Sequence, residues 1–118
     1  MKEMVLEINK VIENYSPDCV VVETPVVVRN PLIQRILTMI FGSVYSMCVI
    51  KKITWAELKP TEWRKLIDPG KKPKKRDELK EWSKHKVFEL FDIDVTDDES
   101  DAILIGQAYI NMWNFGGE

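Results

Sequence analysis

Met4, Val5, Ile8, Val11 and Ile12 recur at the helical period and form one apolar stripe. That spacing predicts an amphipathic helix over residues 2–14. Residues 14–18 (Asn-Tyr-Ser-Pro-Asp) have turn chemistry, and Pro17 cannot continue a helix. Residues 19–22 (Cys-Val-Val-Val) then form a short, continuous, mostly β-branched run that ends at Glu23. Such a run predicts a strand covered on both faces, as in a parallel sheet. Residues 26–28 are predicted to be extended or loop.

Asn30 is a good N-cap and Pro31 is tolerated at the first helical position. The helix they open runs to about residue 47. It is apolar nearly all round, so both faces are expected to be covered. Gly42 inside it costs about 1 kcal/mol relative to Ala, which predicts a close approach by another element. A second strand falls within residues 49–58, with Ile50, Ile53 and Trp55 as its inward positions.

A short helix is predicted over residues 61–67 after Pro60, then a turn at Asp68, Pro69 and Gly70. The next helix covers residues 76–91, with Leu79, Trp82, Val87, Leu90 and Phe91 as its apolar set. An acidic connection leads to a last helix over residues 98–113, carried by Ile103, Leu104, Ala108, Ile110 and Met112. Residues 115–118 read as a frayed end. The order of helix, strand, helix, strand and then helices is an α/β pattern with a parallel strand pair. Two strands are marginal alone, so further strands or self-association are expected.

Composition narrows the class. The chain has 118 residues, 45% of them hydrophobic and 31% charged, which fits a single globular domain over residues 1–118. Cys19 and Cys48 lie in apolar runs and read as reduced, buried thiols of a cytoplasmic protein. The charged N-terminus is no signal peptide. The apolar stretch over residues 36–50 is too short to span a bilayer, so no membrane is implied. The net charge of −2 conceals an asymmetry: residues 59–86 hold 11 Lys or Arg against 5 Asp or Glu. The rest holds 6 basic and 14 acidic residues. A basic middle inside an acidic chain is a candidate phosphate-binding face, although charge runs are usually only solvated.

The carboxylates add chemistry. Glu23 stands at the carboxyl end of an apolar strand, where ligands bind in open α/β sheets, or simply turns to solvent as the strand ends. Asp98 and Asp101 stand one turn apart, on one helix face. Acidic residues also favour helix N-termini, which accounts for Asp97, Asp98 and Glu99 without any ligand. Asp101 fits that account less well, because it adjoins the apolar run Ala102, Ile103, Leu104 and Ile105. Were Glu23, Asp98 and Asp101 to converge, they would form an all-oxygen site suited to Mg²⁺ or Mn²⁺. His85 has no Cys or His neighbour at zinc spacing and reads as solvated. Of the four tryptophans, Trp63, beside Arg64, is the candidate base-stacking platform; the others read as core or interface.

Three blocks resemble the RuvC-type Holliday junction resolvases of the RNase H-like superfamily. SPDCVVVETP is similar to the family's apolar strand ending in a catalytic Glu, here Glu23. VVRNPLIQRILTMIFGSV resembles its following loop and long helix, with Arg29, Asn30 and Gly42 in register. DDESDAILIGQAYI resembles its acidic motif, with Asp98 and Asp101 on the two acidic positions. Between them, a basic helix, a Gly turn and a basic loop match in pattern, and Arg64 falls near the family's active-site basic residue.

The resemblance implies an RNase H-like, RuvC-type α/β core with few parallel strands packed with helices. It implies Mg²⁺- or Mn²⁺-dependent hydrolysis of branched DNA such as a four-way junction, by Glu23, Asp98 and Asp101. Arg29, Arg64, Lys65, Lys71, Lys72, Lys74, Lys75 and Arg76 would hold the DNA. It further implies a homodimer, in the cytoplasm of a bacterial or phage-like source. The family fold begins with three antiparallel strands, the first carrying a catalytic Asp. Here the sequence starts at the helix after them, so the core is expected to be N-terminally truncated. A separate polypeptide could supply the strands, and the chain alone is expected to be incomplete or inactive. The alternative is a non-catalytic DNA-binding or oligomerising module of the same fold.

Overall fold

The computed structural model describes residues 2–25 and 29–116. The elements run α1 (Lys2–Tyr15), β1 (Cys19–Glu23), α2 (Pro31–Lys51), β2 (Thr54–Leu58), α3 (Pro60–Ile67), α4 (Arg76–Phe91) and α5 (Asp97–Gly116). Element types and order follow the hydrophobic pattern. The extended or loop conformation expected at residues 26–28 lies outside the described residues, as do residues 117 and 118 of the expected frayed end.

β1 and β2 form a two-stranded sheet. The Thr54 N–H donates to the Asp18 carbonyl at one end (3.1 Å), and the Thr24 N–H to the Leu58 carbonyl at the other (2.9 Å). The pairing therefore runs parallel, and the chain is of mixed α/β class, mostly helical. β1 is only half-buried along residues 19–22, not covered on both faces as expected. Among the described residues β1 has β2 as its sheet neighbour, and a two-stranded sheet is marginal alone.

The backbone of the domain expected over residues 1–118 groups into two compact units: Met1–Val20 with Pro25–Ala56, and Val21–Thr24 with Glu57–Glu118.

In the first unit α1 packs on α2. Asn30 caps α2 as its residue type requires, its side-chain oxygen accepting from the Leu32 and Ile33 N–H groups (3.0 and 3.4 Å). Ile12, Val44 and Cys48 are buried, and Trp55 meets Phe41 and Tyr45 edge-to-face at 5.0 and 5.4 Å. Much of the expected stripe on α1 is open: Met4 and Val11 are each more than half exposed. α2 is equally bare, with Leu32 65% and Ile50 80% exposed. Ile50 thus ends α2 in solvent and is not an inward strand position. Among the described residues a Cβ at Gly42 would meet nothing within 4 Å, so they show no close approach of the kind expected there. At 21 residues, α2 is long and apolar enough to cross a membrane by length and composition. The expectation of a shorter, covered helix is corrected: one amphipathic helix cannot cover an all-round apolar one. Cys19 and Cys48 are free thiols, half-buried and buried respectively. Burial pushes the Cys48 thiol above its ordinary pKa, with the Cys19 charge adding to the rise, which disfavours its reactive thiolate.

In the second unit α5 packs on both α3 and α4. Leu58, Trp63, Val87, Leu104, Ile105 and Ala108 form its core, with Val21, Trp82, Ile103 and Met112 partly buried against them. Leu104, Ile105 and Ala108 share one helical face, which seats α5 and thereby aims its first turn. Ile110, expected inward, is 52% exposed, and Leu90 and Phe91 at the end of α4 are also exposed.

Candidate functional site

The first turn of α5 is capped by Thr96 and Glu99. The Thr96 hydroxyl accepts from the Glu99 N–H (3.3 Å) and the Glu99 carboxylate accepts from the Thr96 N–H (3.0 Å). This reciprocal capping box satisfies the helix start. The Thr96 N–H holds the Glu99 carboxyl below its ordinary pKa. The buried Ser100 hydroxyl donates to the Asp97 carbonyl at 2.7 Å and fixes the turn further. Asp97 is paired with Lys80 (3.9 Å) and Lys84 (3.7 Å) of α4. Asp98 and Asp101 take no part in the cap. Among the described residues neither carboxylate makes a hydrogen bond or salt bridge.

Both carboxylates face a cavity of about 280 Å³ inside the second unit. Its wall combines Asp97, Asp98 and Asp101 of α5 with Arg64 of α3, Lys74, and Arg76, Leu79 and Lys80 of α4. Four cations thus share one concavity with three carboxylates. Lys80 was not among the basic residues singled out from the sequence. It lies four residues after Arg76, hence on the same helical face.

Arg64 stands on the Trp63 ring, its guanidinium carbon 5.0 Å from the ring centroid. It forms no ion pair among the described residues, and its buried Nε has no hydrogen-bond acceptor. A cation held by an indole face instead of a carboxylate keeps its terminal nitrogens for an external anion.

Trp63 is fully buried, beside Trp82 at 6.5 Å between centroids. Its ring is therefore unavailable to bases, which corrects its reading as a stacking platform. Its indole N–H donates instead to the Glu23 carboxylate at 2.8 Å. A buried indole needs such an acceptor. Nothing in the periodicity of either segment signals this pairing across 40 positions. Glu23, exposed at the carboxyl end of β1, keeps its second oxygen free of this bond.

The basic loop is braced. The Asp68 carboxylate accepts from the Gly70 N–H (2.8 Å) and pairs with Lys86 (3.0 Å). These contacts, the Gly70 N–H first, hold the Asp68 carboxyl below its ordinary range. The Lys72 ammonium donates to the Gly70 carbonyl at 2.6 Å. A second cavity of about 330 Å³ lies beside the loop, lined by Thr61, Arg64, Lys65, Pro69, Lys72, Pro73 and Leu79.

Of the expected DNA contacts, Arg64, Lys74 and Arg76 surround the first cavity, and Arg64, Lys65 and Lys72 the second. Lys71 and Lys75 are exposed on the same loop, while Arg29 is exposed in the first unit. The three expected metal ligands are not brought together as one set. Among the described residues no group of three or more His, Cys, Asp or Glu could hold a metal ion. Asp98 and Asp101 share a cavity; Glu23 is tied to Trp63. Mg²⁺ is commonly bound through only one or two carboxylates plus substrate phosphates. The two α5 carboxylates, facing cations that would hold such a phosphate, suit that manner of binding.

No protein-family model matches the chain, and no curated protein matches it either.

Proposed function

We propose that this chain is the phosphate- and metal-binding part of a RuvC-like nuclease acting on branched DNA, such as a four-way junction. The observation that carries the reading is the shared cavity: two carboxylates free of capping beside Arg64, Lys74, Arg76 and Lys80. Carboxylates alone would repel DNA, and cations alone would bind any anion. Together they suit a phosphodiester with a divalent cation.

Asp98 and Asp101 would hold Mg²⁺ or Mn²⁺. The bound ion would polarise a phosphoryl oxygen and lower the pKa of a coordinated water. Arg64 and Arg76 grip the non-bridging phosphate oxygens, with Lys74 and Lys80 adding charge. Asp97 stays with Lys80 and Lys84 and holds α5 against α4. Glu23, the third ligand that the resemblance implies, does not line this cavity; one of its oxygens accepts from the Trp63 indole.

The exposed apolar residues of α2 favour association with a second copy, and the two-stranded sheet leaves edges for strands from another polypeptide. The reading implies a cytoplasmic homodimer. That Glu23 does not join Asp98 and Asp101 in one cavity favours a second reading, a module that binds DNA without cutting it. A nicking assay on a four-way junction with Mg²⁺ separates the two, run with and without a polypeptide bearing the three-strand segment. Nicking that disappears in Glu23→Gln supports the nuclease. Salt-dependent binding without nicking supports the module. Failure to bind any junction removes both.

A further inference from the structure

The second cavity differs in kind from the first. Among the described residues its wall carries no acidic side chain, and Pro69, Pro73 and Leu79 contribute apolar surface to it. Arg64, Lys65 and Lys72 line the same cavity, and the Lys72 ammonium donates to the Gly70 carbonyl. Apolar side chains and cations lining one cavity suit an anion with a flat, weakly polar body. At about 330 Å³ it lies at the small end of ligand pockets, a size for one nucleotide and not for a duplex.

Arg64 lines both cavities. Its guanidinium is held by the Trp63 face and has no carboxylate partner among the described residues, so it can serve an anion on either side. A strand whose phosphate lies in the first cavity thus has a neighbouring pocket one wall away.

We propose that this second cavity takes one unpaired nucleotide of the DNA strand, its base against Pro69, Pro73 and Leu79 and its phosphate on Lys65 and Lys72. The proposal rests on the phosphate-binding reading above and adds a preference for unpaired bases. Branched DNA offers unstacked nucleotides at its branch point; an intact duplex does not. Contact of this kind tolerates any base, because every base presents a flat face that Pro and Leu side chains can cover.

The test is fluorescence anisotropy with the full chain at low salt, using two probes of equal length and charge. One is a single-stranded oligonucleotide and the other the same backbone built of abasic sites. The wild-type chain is expected to bind the base-bearing strand about tenfold tighter. In the double variant Pro69→Ala, Pro73→Ala that ratio is expected to fall towards one. Lys72→Gln is expected to weaken both probes alike. Equal wild-type affinity for the two probes would overturn the pocket, while binding that weakens in Arg76→Ala would leave the phosphate site standing. If neither probe binds, the phosphate reading and the pocket fail together.

Discussion

Trp63→Phe tests whether the Trp63–Glu23 bond organises the site. Phe keeps a buried aromatic ring and deletes the indole N–H that donates to Glu23 at 2.8 Å. A hydrogen bond to a charged group contributes about 1.5–3 kcal/mol. Glu23 is exposed enough to regain water once released, which brings the pair to or below the bottom of that range, about 1–1.5 kcal/mol. The single substitution also leaves a small void, because Trp63 is fully buried. Pairing it with Glu23→Ala in a double-mutant cycle removes that contribution. Urea unfolding followed by far-UV circular dichroism would give the four stabilities. A coupling of about 1 kcal/mol is expected. A coupling below about 0.5 kcal/mol, the additivity error for distant sites, would show that the bond does not join the two residues in solution. Trp63→Ala, by contrast, is expected to cost about 3–5 kcal/mol through the cavity it opens.

Thr96→Ala removes the acceptor for the Glu99 N–H and is expected to cost about 1 kcal/mol in urea unfolding, whereas Thr96→Ser should cost far less. The Asp68 carboxyl lies below its ordinary pKa in the folded chain, so its stabilising effect is present above its unfolded value near 3.9 and is lost as pH falls through the folded value. Wild type is therefore expected to exceed Asp68→Asn in urea midpoint at neutral pH, with the gap closing below about pH 4; a gap that persists into strong acid would remove the Asp68–Lys86 account. Arg76→Ala is expected to weaken junction binding and to reduce the slope of log affinity against log salt by about 1, and an unchanged slope would mean that Arg76 touches no phosphate.

Local chemistry was legible wherever one residue type decides one contact. Asn30 before Pro31 marked the start of α2, and Pro60 that of α3. Asp98 and Asp101, one turn apart, were legible as a pair on one face. Their freedom was not, because four acidic residues open that helix and each could have been its cap. Thr96 and Glu99 at capping-box spacing resolve the ambiguity. The partner of Glu23 lies in a distant segment that meets it only through tertiary packing, which periodicity does not encode. α2 shows a different limit: an all-round apolar pattern states that a surface needs cover and is silent on what covers it.

Binding of Mn²⁺ to Asp98 and Asp101, strengthened by a DNA phosphate, tests the central claim most directly. Electron paramagnetic resonance of free Mn²⁺ would be followed as the chain is added, with and without a four-way junction. The account predicts that the junction tightens Mn²⁺ binding and that Asp101→Asn abolishes the gain. Mn²⁺ that stays unbound beside a bound junction, or binds equally well to Asp101→Asn, would contradict it.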